Sequence, residues 1–197
     1  QTCVCANRLY VHSAVYDAFA AKLTAAVRTM QVGNGADAGV RIGPLIDEKA
    51  VAKVEEHIAD AVSKGARILT GGQRHALGRT FFEPTVLADV TSGMQVAREE
   101  TFGPLAPLFR FESEDEVVAL ANATEFGLAS YFYARNLGRV WRLAERLEFG
   151  MVGVNTGLIS NEMAPFGGVK QSGVGREGSR YGIEDYLVVK YVNMSES

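Results

Sequence analysis

Two thiols one residue apart, Cys3 and Cys5, are the only cysteines in the chain, so its whole stock of sulfur nucleophile sits at one edge of the sequence. A cysteine attacks a carbonyl carbon as its thiolate, and a thiol at a helix start or in a ring of backbone donors ionises at less cost. Cys3, behind the short polar lead Gln1-Thr2, suits that role, and its backbone N–H would then face the oxyanion formed on attack. From the residues alone a buried structural cysteine stays open for Cys3, and a small buried hydrophobe for Cys5. Two downstream segments are punctuated by Gly and Pro in a way plain connectors do not require: Glu99-Glu100-Thr101-Phe102-Gly103-Pro104 and Pro165-Phe166-Gly167-Gly168-Val169-Lys170-Gln171-Ser172-Gly173. The first also reads as a surface acidic pair before a Pro turn. Glycine density in the second serves backbone geometry, because no strand, glycine loop and helix of a dinucleotide fingerprint surround it.

The elements that must hold these residues alternate. Residues 6–12 carry Leu9 and Val11 and predict a strand; Ser13 then offers a cap for a helix to about Met30, with Val15, Phe19, Leu23, Ala26, Val27 and Met30 at helical spacing. After a Gly-rich break at 31–44, Asp47 begins a second helix with Val51, Val54, Ile58, Ala61 and Val62 on one stripe, stopped by Gly65. Strands are predicted at 66–70, 81–90 and 105–111, and Ser113 with Glu116 has the spacing of a capping box for a helix to about Asn122. A strand at 128–134, a helix capped by Asn136 with Val140, Ala144 and Leu147 facing inward, and a buried strand at 151–154 follow. This alternation predicts an α/β fold: a mostly parallel sheet with helices on both faces. The Gly-rich run from Asn155 to about Gly182 is too long for a simple turn, and such loops are usually functional. A last apolar strand at 186–192 comes after the sheet is complete, and pairing to another subunit would hide its edge.

Composition excludes several classes. The 20 basic and 23 acidic residues leave a net charge of -3 with no basic run, which argues against a nucleic-acid partner. No apolar stretch approaches the roughly 18 residues that span a bilayer, the residues from Gln1 onward do not have the basic start and apolar run expected of a secretory signal, and two cysteines make no disulfide framework. A protein of the cytoplasm is expected. His12, His57 and His75 have no zinc-like spacing, so no metal site is expected, and His57 reads as a residue of a charged helix face with solvent as its partner. Glu55-Glu56 and Glu114-Asp115-Glu116 read as solvated faces and caps, and Lys170 and Arg176 as surface charge.

Together these segments resemble the catalytic half of the aldehyde dehydrogenase family. Gln1-Thr2-Cys3 looks like the end of its nucleophile motif, and the resemblance runs across essentially the whole chain. Within the family it is strongest to the succinate-semialdehyde dehydrogenases, on Cys3-Val4-Cys5-Ala6-Asn7-Arg8, Gly43-Pro44-Leu45-Ile46, Thr124-Glu125-Phe126-Gly127-Leu128, Gly173-Val174-Gly175-Arg176-Glu177-Gly178 and Tyr181-Gly182-Ile183-Glu184-Asp185-Tyr186. The resemblance implies that Cys3 attacks the aldehyde carbon to give a thiohemiacetal, then a thioester once hydride has left to NADP or NAD. It implies that Glu100 holds the nicotinamide ribose hydroxyls and that Phe102 packs beside the ring. A carboxylate can accept two hydroxyl bonds, and an aromatic face restricts a flat ring. Ser160 would help hold the distal carboxylate of succinic semialdehyde. Phe166 would wall the substrate entrance, with an ordinary core phenylalanine as the other reading. Relatives of this subgroup also imply a Cys3–Cys5 disulfide as an oxidative off-switch, conceivable if the segment is extended so that residues i and i+2 project to one side.

The same resemblance sets the expected layout: a catalytic domain at 1–182, a C-terminal oligomerisation strand and tail at 183–197 that forms a homo-oligomer, and a dinucleotide-binding domain outside this chain. These residues by themselves are then expected to show no aldehyde oxidation. Two other classes compete. One is a non-redox cysteine acyltransferase or hydrolase using Cys3 with a histidine, and the other is an assembly module in which the last strand joins a partner and no catalysis remains.

Overall fold

Strand β1 (Leu9–His12) runs directly into helix α1 (Ser13–Arg28), and the residue that joins them does the capping: His12 Nδ1 accepts from the Ala14 N–H at 3.1 Å. Ser13, expected to cap, is already helical, and its hydroxyl donates to the Glu112 carboxylate. The helix packs Leu23 and Val27 inward as expected, but in its first turns Tyr16 and Ala20 are buried while Val15 and Phe19 stay exposed, so the stripe differs from the expected one there. The computed structural model describes residues 1–195. The chain divides by internal contacts into two units, Gln1–Leu120 and the part from Ala121 onward.

In the first unit the Gly-rich break contains a short parallel pair, β2 (Gln31–Val32) and β3 (Val40–Ile42). Helix α2 (Glu48–Ser63) begins as the sequence predicts: Asp47 Oδ1 accepts from the Ala50 N–H at 2.8 Å, meeting one of the first-turn donors that lack a helical partner. It ends near Gly65, whose φ of 102° few other residues adopt. Strands β4 (Arg67–Thr70), β5 (Thr85–Ala88) and β6 (Leu105–Phe111) follow, then α3 (Glu114–Asn122). The capping box forms with a shift: Ser113 Oγ accepts from the Glu116 N–H, and the Glu116 carboxylate reaches back to the N–H of Glu112.

The sheet order is β1-β6-β5-β4, with β1 and β5 parallel to β6 and β4 antiparallel at the edge. Period-two alternation sorts its two faces. Val11, Val86 and Leu108 pack with Tyr16, Ala20 and Val27 of α1, whereas Leu87, Leu105 and Phe109 pack with Val51, Val54, Ile58 and Ala61 of α2. The helices therefore cover opposite faces, as a parallel sheet requires. Burying each of the Val, Leu, Ile and Phe side chains among these contributes about 1.5–3 kcal/mol, which is what fixes α2 against the sheet.

The second unit is built from β7 (Phe126–Gly127), β8 (Ala129–Phe132), α4 (Leu137–Arg146), β9 (Met151–Val154) and β10 (Val169–Lys170). β8 and β9 are parallel, and β7 and β10 antiparallel. Asn136 Oδ1 caps α4 by accepting from the Arg139 N–H at 2.8 Å. Val140, Ala144 and Leu147 are half-buried, and Leu137 and Trp141 stay exposed.

No strand forms at 186–192. Glu184–Tyr186 is a single 3-10 turn, residues 187–195 have no regular structure, and Val188 and Val189 are exposed. A strand exists only with a neighbour to take its N–H and C=O groups, and this segment pairs with none of the described residues. Glu196 and Ser197, the end of the expected tail, lie outside the described residues. No helix among those described is long and apolar enough to cross a membrane.

Candidate active site

Cys3 sits in a tight turn: the Cys5 N–H donates to the Thr2 carbonyl at 3.1 Å, with Cys3 and Val4 between them. Both cysteines are exposed free thiols. The turn is tied down by Gln1, whose Oε1 accepts from the Ile46 N–H at 3.1 Å. Two premises of the sequence reading change here. Cys3 is not at a helix start, since the first helix begins at Ser13, and the 3–5 segment is turned rather than extended, so the i, i+2 alignment of the two sulfurs does not apply. Neither cysteine is buried within this chain. An exposed thiol in a tethered turn can meet a carbonyl carbon from solution.

The hexapeptide 99–104 is shaped by α2. Thr101 is buried, and its hydroxyl lies 2.9 Å from His57 Nδ1. Its neighbours turn the other way: Glu100 is exposed with no partner among the described residues, and Phe102 is exposed. Phe102 has φ 51°, in the left-handed region that costs an L-residue about 1–2 kcal/mol, and such strain persists where surrounding contacts hold it. Gly103 lies flat against α2: a Cβ there would come 2.6 Å from Val54 Cγ2. Beyond it, the Pro104 carbonyl accepts from the Thr85 N–H at 2.8 Å, joining the segment to the sheet. On the N-terminal side, the Gln95 N–H donates to Asp60 Oδ2 at 2.8 Å. The Lys64 ammonium, and after it the Gln95 N–H, hold the Asp60 carboxyl below its ordinary range.

His57 is the functional candidate that sequence reasoning misplaced. It is 1% exposed, not on a solvated face. Its Nε2 has no hydrogen bond but stands 3.5 Å from Glu99 Oε2. With the proton on Nε2, facing that carboxylate, Nδ1 accepts from the Thr101 hydroxyl. The signal was present in the spacing: position 57 lies three after Val54 and four before Ala61, on the buried stripe itself.

In the second unit Asn155 ties the end of β9 to Ala134, two residues past β8, its Oδ1 accepting from the Ala134 N–H and its Nδ2 donating to the Ala134 carbonyl, each at 2.9 Å. Ser160 is exposed in the irregular stretch that follows. Phe166 is half-buried and its backbone exchanges two hydrogen bonds with Glu177, at 2.9 and 2.7 Å. Lys170 and Arg176 are more than surface charge. Arg176 Nη1 donates to the carbonyls of Gly168 and Gly175 at 2.8 and 2.7 Å, and Lys170 Nζ donates to those of Asn122 and Thr124 while pairing with Glu148. Arg176 cross-links carbonyls within the Gly-rich loop, and Lys170 ties that loop to carbonyls at and just beyond the end of α3. Cys3, Glu100 and Phe102 thus belong to the first unit, and Ser160 and Phe166 to the second.

A family model described as "Aldehyde dehydrogenase family" matches residues 1–192. Among curated proteins, this chain is 73% identical to a 3-sulfolactaldehyde dehydrogenase of Pseudomonas putida, over 98% of the chain and 40% of that protein. It is 71% identical to a glutarate-semialdehyde dehydrogenase of Pseudomonas aeruginosa and 67% to the succinate-semialdehyde dehydrogenase [NADP(+)] of Escherichia coli, with the same coverage. Among solved structures, that of succinate-semialdehyde dehydrogenase from Burkholderia pseudomallei superposes with a TM-score of 0.96 at 70% identity, covering 98% of this chain and 40% of that one. The chain spans about 40% of the length of the relatives it matches.

Proposed function

Since this chain belongs to the aldehyde dehydrogenase family, we propose that it forms the nucleophile-bearing part of an NADP- or NAD-dependent dehydrogenase that oxidises succinic semialdehyde to succinate. The observation that carries this reading is the exposure of the Cys3 thiol in a tethered turn, in a chain whose length from residue 1 to 192 matches the family. As a thiolate, Cys3 adds to the aldehyde carbon: a C–S bond forms and the carbonyl π pair moves onto oxygen, where a backbone N–H can meet it.

The described residues fit the nicotinamide end of the cofactor. Glu100 offers an exposed carboxylate without a partner among the described residues, matching two ribose hydroxyls, and Phe102 is presented outward beside it on strained backbone. Bound there, the cofactor supplies the acceptor for the hydride. Glu100 orients and Phe102 limits the ring to one plane. Ser160, exposed on the long loop, donates its hydroxyl to the distal carboxylate of the substrate, and Phe166 flanks the entrance. Cys3 and Cys5, both free, act as a redox-sensitive pair: a peroxide oxidises one thiol to a sulfenic acid, the other sulfur attacks it with loss of water to close a disulfide, and the nucleophile is removed. Residues 186–192, apolar and exposed, add a strand to a second copy of the chain.

The three relatives above are named for aldehydes that carry a second, acidic group, a shared chemistry that supports an anion-bearing short aldehyde. The hydrolase reading is weakened by the histidines: His12 and His75 accept from nearby backbone N–H groups through Nδ1, and His57 is buried on Thr101.

The test measures kcat/KM of the native polypeptide for succinic semialdehyde, glutaric semialdehyde and 3-sulfolactaldehyde with NADP and NAD. The highest value for succinic semialdehyde is expected. A higher value for either other aldehyde overturns the substrate, and no oxidation of any overturns the activity. The same assay on the 197 residues alone is expected to show no turnover.

A further inference from the structure

An imidazole among Val51, Val54, Ile58 and Ala61 on the buried face of α2 needs a partner, and among the described residues His57 has one hydrogen bond, between Nδ1 and the Thr101 hydroxyl at 2.9 Å. The residues spaced three apart around it act on the same stretch of chain. Val54 receives Gly103, and Asp60 accepts the Gln95 N–H. One stripe of α2 therefore holds this stretch of chain at Gln95, ahead of the hexapeptide, and at Thr101 and Gly103 within it.

We propose that His57 is a positioning residue for the cofactor pair Glu100 and Phe102. By holding Thr101 inward it turns the two flanking side chains outward together, and it keeps Phe102 in a left-handed backbone it would otherwise leave. A leucine at 57 would fill similar volume but could not fix the Thr101 hydroxyl. The role is indirect: His57 is buried and acts only through Thr101. The inference rests on the reading that Glu100 and Phe102 hold the nicotinamide ribose end.

The experiment uses the native polypeptide and four variants: His57→Ala, His57→Asn, Thr101→Val and Glu100→Gln. Three readouts are taken: the Kd of NADPH, with NADH alongside, by fluorescence titration; the KM of the aldehyde; and amide hydrogen exchange over 99–103 in the cofactor-free protein. Orphaning one side of a buried hydrogen bond predicts that His57→Ala and Thr101→Val each weaken reduced-cofactor binding about tenfold and speed exchange over 99–103, with aldehyde KM within about twofold. Asparagine places an amide near the Nδ1 position, so His57→Asn is expected to recover binding to within about threefold of the parent. Equal losses for cofactor and aldehyde, or a folded His57→Asn as weak as His57→Ala, overturn the proposal. If His57→Ala does not fold, Thr101→Val decides, since it removes the same bond without changing shape. Should Glu100→Gln weaken cofactor binding while the His57 and Thr101 variants leave it intact, the positioning role alone is refuted. Should Glu100→Gln leave binding unchanged, the cofactor reading fails and the inference with it.

Discussion

Replacing Gly103 by alanine probes the fit of the hexapeptide on α2. An added Cβ would lie 2.6 Å from Val54 Cγ2, with Leu45 Cδ2 and Thr101 Cγ2 at 3.7 Å, an ordinary contact. Carbon atoms rest about 3.5–4.0 Å apart, so helix and segment must separate by about 1 Å, and overpacking of that kind costs about 1–3 kcal/mol. Gly103 is not among the glycines with positive φ. Alanine is therefore conformationally allowed and recovers about 0.4–1 kcal/mol through the unfolded chain. The net destabilisation expected is about 1–2 kcal/mol, or roughly 2–8 °C in Tm for a chain of this length. Val54→Ala removes the obstructing methyl at a cost of its own of about 2 kcal/mol. The double variant should lose less than the sum of the two by about 1–2 kcal/mol. Urea titrations of the four proteins by circular dichroism measure this. Strict additivity, or a Gly103→Ala that is neutral or stabilising, refutes the packing of the hexapeptide on α2.

Thr85, 2% exposed, accepts from the Gly72 N–H and donates to the Glu83 carbonyl, both at 2.8 Å, so Thr85→Val should lower stability by about 1–3 kcal/mol while Thr85→Ser keeps most of it. Urea unfolding checks this pair. Arg74 binds both Glu55 oxygens, at 2.7 and 2.9 Å, and holds that carboxyl below its ordinary value of 4.5. Because the folded value is the lower one, the stabilisation is present above pH 4.5 and is lost as pH falls through the folded value. Glu55→Gln should therefore be less stable than the parent at neutral pH, by under about 1 kcal/mol for so exposed a pair, with the gap closing in acid. Stability measured from pH 7 down to pH 3 reads the gap directly.

Much of the fold in both units was legible in the sequence. Asp47, Ser113 and Asn136 were identifiable as caps because a short side-chain acceptor beside a periodic run leaves few other roles. The strands at 105–111 and 151–154 carry apolar runs bounded by Gly or Pro and lie where expected. The phase of α1 was harder: Phe19 is larger than Ala20, yet the series Tyr16, Ala20, Leu23 and Val27 is the one that meets the sheet, because Tyr16 also bonds the Leu108 carbonyl and the Asp89 N–H. His57 was read by its charged neighbours Glu55 and Glu56 rather than by its place on the stripe. Lys170 and Arg176 bond carbonyls brought near by the folding of the loop, which no local pattern announces. The final strand depends on a partner edge, a property of neighbours rather than of the segment.

The claim on which the rest depends is that the Cys3 sulfur attacks the aldehyde carbon. Quenching the native polypeptide in acid during turnover of succinic semialdehyde with NADP, then sequencing the peptide that holds Cys3 and Cys5 by tandem mass spectrometry, tests it directly. The account predicts a succinyl group on Cys3 and none on Cys5, lost in Cys3→Ser and retained in Cys5→Ser. Acylation of Cys5, or undiminished turnover by Cys3→Ser, would contradict it.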